Sequence, residues 1–154
     1  MKLAPWLLML AGCATPPEIV PYQPPAAGPH AQLTVKTARM WSPNRVTLYL
    51  ASGAEARPAR MQVIGQLQSG DYVKREILSF DARLAAGAPL ALYFEYRYDL
   101  GAALETGCNY PVTLTLAPGA RYLVEFIKDP HSCRPRFYMV GADGAPTEMP
   151  VVKQ

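Results

Sequence analysis

Residues 89–101 read "PLALYFEYRYDLG", and their alternation limits what this stretch can become. Leu90, Leu92, Phe94, Tyr96 and Tyr98 fall on one side, and Ala91, Tyr93, Glu95 and Arg97 on the other. A period of two sustained over nine residues suits an extended strand with one buried face, and no helix can sort these residues that way. The same period recurs in "RVTLYLA", which sets Val46, Leu48 and Leu50 on one face, and in "ARMQVIGQLQ", with Met61, Val63 and Leu67. Gly65 interrupts the latter run and marks a bulge. "KREILSF", "YPVTLTL", "ARYLVEFIK" and "CRPRFYMVG" follow, and a last strand is expected through Val151 and Val152. Gly, Pro, Asn and Asp bound these segments. The helical candidate, "DARLAAG" at residues 81–87, is too short to stand alone. Seven or eight strands over residues 33–154 predict an all-β chain folded as an antiparallel β-sandwich.

One connection allows a register to be written. Ala117-Pro118-Gly119-Ala120 has Pro and Gly in the order of a type II turn. A hairpin about that turn sets Leu116 opposite Arg121, Leu114 opposite Leu123 and Val112 opposite Glu125. Extended further, it brings Cys108 beside Asp129, with Cys133 just beyond "DPHSC". A Cys108–Cys133 disulfide is therefore expected at the open end of the hairpin. The loop it closes spans residues 108–133, for which chain entropy gives about 3–4 kcal/mol.

The prolines, 16 in all, crowd the region before the strands. Residues 14–32, "ATPPEIVPYQPPAAGPHAQ", hold six of them in 19 positions. Such a segment favours polyproline II and is expected to be a semi-rigid tether spanning 13–32 rather than a peptide ligand. Ahead of it, residues 1–12 carry one Lys, an apolar run from Leu3 to Leu10, and the small pair Ala11-Gly12. That is the layout of a secretory signal peptide, and it is too short to span a bilayer, which takes about 20 residues.

Leu10-Ala11-Gly12-Cys13 resembles the lipobox of bacterial lipoproteins. The resemblance implies cleavage before Cys13, diacylglycerol on its thiol, and an acyl chain such as palmitate on the new amino group. Two or more chains give stable anchoring where one does not. Residue 14 is Ala, not Asp, which in that family favours the outer membrane, facing the periplasm, over the inner membrane. Residues 81–140 carry a second, weaker resemblance. "DARLAAGAPLALYFEY", Cys108, "LTLAPGARYLVEF" and Cys133 together are similar to small, largely uncharacterised β-sandwich lipoproteins of the Gram-negative envelope. That likeness implies a fold and a compartment, and carries no active site.

Net charge is +3, and +2 without Lys2, with no basic stripe, which gives no footprint for nucleic acid. The two histidines offer little chemistry. His30 falls in the tether, and His131 sits in "KDPHSC", where Asp129 and a disulfide-bonded Cys133 make no convincing metal site. Glu95 and Asp99 share a strand face, but Arg97 lies between them and is expected to pair with them. No G-x-S-x-G or phosphate-loop pattern is present. No catalytic residue, metal or cofactor is therefore expected beyond the covalent lipid. Tyr93, Arg97 and Tyr98 form the candidate binding surface. Two functions remain in view: a non-catalytic envelope module that docks on a protein partner, and a periplasmic ligand-binding or hydrolase-inhibitor module. The second requires a concave aromatic pocket near Tyr93 or Tyr98.

Overall fold

The alternating segments become ten strands in a computed structural model that describes residues 16–37, 44–52, 59–69, 77–99, 104–128 and 133–151, the side chains of 99 and 104–106 excepted. They form two five-stranded sheets, ten strands where seven or eight are expected, because the proline-rich segment and the segment after Gly141 each add one at an edge. Sheet A runs β1 (Glu18–Pro21), β4 (Arg60–Gln68), β3 (Asn44–Ala51), β6 (Pro89–Asp99) and β7 (Leu104–Thr115). Sheet B runs β10 (Pro146–Met149), β9 (Cys133–Val140), β8 (Arg121–Lys128), β2 (His30–Thr37) and β5 (Ser79–Ala85). The described residues contain no helix.

The core lies between the sheets, where alternation sends Leu92, Phe94 and Tyr96 inward from β6 and Tyr122, Val124 and Phe126 inward from β8. Phe94 is fully buried, with Phe126 stacked at 6.3 Å and Phe137 edge-on at 5.9 Å. Burying one such side chain contributes about 1.5–3 kcal/mol, so this trio anchors the sandwich.

Three expectations about the strands are corrected. The sheets are mixed, because β1 lies parallel to β4 and β2 parallel to β8. "DARLAAG" supplies most of strand β5, since Phe80, Ala82 and Leu84 alternate inward and tertiary burial outweighs the helix propensity of alanine. The last described strand is Pro146–Met149, with Thr147 opposite Met139; Val151 follows it outside any strand, and Val152 lies outside the described residues.

The proline-rich segment is the fourth correction. Glu18–Pro21 adds a strand to the edge of β4, and His30 already opens β2. A parallel edge strand tolerates proline when its missing N–H faces outward. Tyr22 then ties the edge together: its amide donates to Val63 O in sheet A at 2.9 Å, and its hydroxyl donates to Arg83 O in sheet B at 3.0 Å. Residues 18–21 and 30–32 therefore pair within the sheets and are not part of a free spacer.

The bulge expected at Gly65 is present, with Ile64 as the extra residue between the pairs Leu48–Gly65 and Tyr49–Val63. It reverses the facing of what precedes it. Leu67 enters the core, while Met61 and Val63 align with Ala51 and Tyr49 on the opposite face. Gly65 itself is required by a close approach: a Cβ there would lie 2.4 Å from the Phe80 ring of the facing sheet.

The Pro118-Gly119 turn forms, with Ala120 N donating to Ala117 O at 3.2 Å and Gly119 at φ +72°. It does not make a hairpin. β7 pairs with β6, and β8 pairs with β2 and β9, so the turn arches from one sheet to the other. An unprimed turn splays its flanking strands, whereas two-residue hairpins need the primed types. The buried Tyr122 hydroxyl accepts the Ala117 amide at 2.8 Å and holds the arch closed. Cys108 and Cys133 are joined as expected, with Cα atoms 6.4 Å apart. The pairing was right and its setting was not: Cys108 lies on β7 and Cys133 on β9, so the disulfide clamps sheet to sheet.

Candidate functional site

The outward face of sheet A gathers the polar and aromatic residues that alternation keeps out of the core. β3 and β6 are neighbours there, with Arg45 opposite Arg97, Thr47 opposite Glu95, and Tyr49 opposite Tyr93. The Tyr49 and Tyr93 rings sit 6.3 Å apart.

Glu95 organises this face. Tyr49 donates its hydroxyl to Glu95 Oε2 at 3.0 Å, and Arg97 Nη2 donates to Oε1 at 2.9 Å. The Glu95 side chain is 13% exposed and that of Arg97 is 39% exposed. The carboxylate is thus covered by its own partners, while part of the guanidinium still faces solvent. Burial, and then the neighbouring Glu95 charge, push the Tyr49 hydroxyl above its ordinary pKa and keep it a donor. The hydrogen bond that Arg97 donates to Glu95 raises the guanidinium in the same sense. A carboxylate with both oxygens engaged is poorly placed to take a proton from a substrate. The patch presents cation and aromatic surface instead. It also holds buried polar atoms, Arg45 Nε, Arg97 Nε and Thr113 Oγ1, that have no hydrogen-bond partner among the described residues.

Of the three residues expected to form a binding surface, Tyr93 and Arg97 share this face. Tyr98 does not. It projects to the core side with Tyr96, 6.4 Å from that ring, because odd and even positions of a strand point to opposite faces. The pairing of Arg97 with Glu95 is as expected, and Asp99 lies outside the described side chains. Tyr49 and Arg45 were missed. Their position opposite Val46 and Leu48 was readable in "RVTLYLA", but the adjacency of β3 and β6 was not.

Residues 10–13 of the lipobox-like motif, and Asp129 and His131, lie outside the described residues. His30 lies at the start of β2, with Nδ1 2.9 Å from Arg83 Nη2. Among the described residues no three His, Cys, Asp or Glu side chains cluster as a metal site would need.

Among the described residues, two shallow clefts lie elsewhere. One, of about 370 Å³, runs between β2 and β5 and is crossed by the 2.6 Å bond from Thr34 Oγ1 to Asp81 Oδ1. The other, of about 420 Å³, is lined by Leu50, Ser52, Pro89, Leu90 and Thr113 at one end of sheet A. Neither contains Tyr93 or Tyr98. The chain matches no protein-family model and no curated relative.

Proposed function

We propose that this chain is a lipid-anchored protein of the bacterial cell envelope, a non-catalytic module that docks on an envelope partner through the outward face of sheet A. The observation that carries this reading is Leu10-Ala11-Gly12-Cys13 behind a short apolar run. Cys13 is then the mature N-terminus, bearing diacylglycerol and an acyl chain, and the domain faces the periplasm from the outer membrane. The Cys108–Cys133 disulfide supports this compartment, since such bonds persist where the surroundings are oxidising. The partly exposed guanidinium of Arg97 beside Tyr93 and Tyr49 supports the docking face, because arginine and tyrosine dominate protein interfaces.

Mass spectrometry of the mature protein tests the anchor. An N-terminal peptide beginning at acylated Cys13 is expected, and an intact residue 1–12 segment overturns the proposal. Crosslinking in membranes tests the face. Tyr93→Ala with Arg97→Ala should lose the partner that the parent chain captures, while an identical crosslinked set from both chains would assign docking to another surface.

The ligand-binding or hydrolase-inhibitor reading asks for an aromatic hollow, which neither described cleft provides.

A further inference from the structure

The place where the chain enters the sandwich sets how the sandwich meets the membrane. Glu18 opens β1 and is fixed there: its amide donates to Ala59 O at 3.0 Å, and its carboxylate lies 3.6 Å from Arg60 Nε. Five residue steps separate Cys13 from Glu18. Whatever their conformation, they reach at most about 18 Å. The longest strand of sheet A, β7, has 12 residues and extends about 40 Å. The leash is therefore shorter than the domain is long, and it leaves from one end.

That end has a consistent chemistry. β1 and β4 begin there, β3 ends there at Ala51, and β2 and β8 begin there at His30 and Arg121. Four described connections close the same end: residues 22–29, 86–88, 116–120 and 141–145. Beyond Tyr22, Gln23 and Leu116 they consist of Ala, Gly and Pro, with Asp143 the single charged residue among them. The Asp143 carboxylate is turned back to accept the Ala145 amide at 3.0 Å. Backbone bonds knit these connections to the strands, Ala86 N to Pro29 O at 3.0 Å and Gly87 N to Leu116 O at 2.8 Å. These small residues are rimmed by charged strand starts, where Glu18 pairs with Arg60 and Arg121 donates to Gly141 O, and lipid headgroups accommodate polar as well as small groups. The disulfide, Lys128 and Asn44 lie toward the other end.

We infer that this Ala/Gly/Pro-rich end is the membrane-facing surface of the protein, held against the headgroups of the bilayer that carries the anchor. The inference rests on lipidation of Cys13. It adds the orientation: the strands stand away from the bilayer, and the Tyr49–Glu95–Arg97 face is presented sideways to a partner on the same membrane.

The test uses the full-length lipidated protein in phosphatidylethanolamine–phosphatidylglycerol vesicles containing nitroxide-headgroup lipid. A fluorophore is placed at Ala88→Cys, at the proposed membrane end, or at Ser79→Cys, toward the other. Quenching is expected to be several-fold stronger at position 88 than at 79. A Gly/Ser spacer of about 20 residues between Thr15 and Pro16, with a mean reach of about 25 Å, should abolish that difference. Equal quenching at the two positions, in protein whose N-terminal peptide carries the acyl mass, overturns the orientation and leaves the anchor standing. A difference that survives the spacer overturns the leash as its cause. An unacylated N-terminal peptide overturns the anchor and the orientation together.

Discussion

The Tyr22 hydroxyl donates to the backbone carbonyl of Arg83 at 3.0 Å, across the edge where the two sheets would otherwise part. The Tyr22 amide is bonded to Val63 of sheet A, and Arg83 belongs to β5 of sheet B. One residue thus spans the sandwich between β4 and β5. Tyr22→Phe should cost about 0.5–1 kcal/mol, the lower part of the usual range because the site is partly exposed. Urea unfolding measures it, and a midpoint unchanged from the parent would show that the bond contributes nothing.

Gly65 faces Phe80 across the same edge. A methyl group there would stand 2.4 Å from a ring carbon, so Gly65→Ala should destabilise by about 1–3 kcal/mol through overpacking. Phe80→Leu should relieve part of that loss. The double-mutant cycle checks it: strictly additive losses would mean that the two positions do not press on each other.

Linking β7 to β9 across the core, the disulfide should contribute about 3–4 kcal/mol, as its closed loop implies. Replacing both Cys108 and Cys133 with Ser should lower the thermal midpoint clearly. Adding reductant should move the parent toward the double variant and leave that variant where it was.

Alkaline pH should weaken the fold. Burial holds the Tyr49 hydroxyl above the ordinary tyrosine value, and Glu95 adds to the shift. Tyr22 and Tyr96 are raised by burial as well. The folded chain therefore keeps these protons to higher pH than the unfolded chain does. Their contribution is complete below about pH 10 and is lost as the pH rises through the folded values. Denaturant titrations from neutral pH upward should show stability falling above that point, and Tyr49→Phe should make the fall shallower. A parent and variant with parallel profiles would remove Tyr49 as a source.

Much of the candidate face was legible in one dimension. Alternation in "LYFEYRY" separates Tyr93, Glu95 and Arg97 from Phe94, Tyr96 and Tyr98, and it makes the Glu95–Arg97 pair natural. The contribution of Tyr49 was not legible, because it comes from a strand more than 40 residues away, joined only through the β3–β6 register. The disulfide partners were reached by assuming a hairpin that does not exist. They were still correct because an arch, like a hairpin, returns its two strands to the same end.

By itself, the sequence determined what local physics controls. Period-two patterning made the chain all-β and chose the inward residues, Pro118-Gly119 made the turn, and Gly65 marked the bulge. Tertiary structure decided which strands lie side by side. The splay of the turn and the burial of Val112, Leu116, Tyr122 and Phe126 on facing sheets placed β7 and β8 across the core rather than next to each other. It also took a proline-rich stretch, with no alternation to announce it, and closed an edge with four of its residues. Strand pairing depends on contacts between residues distant in the chain, and composition and period carry no record of those contacts.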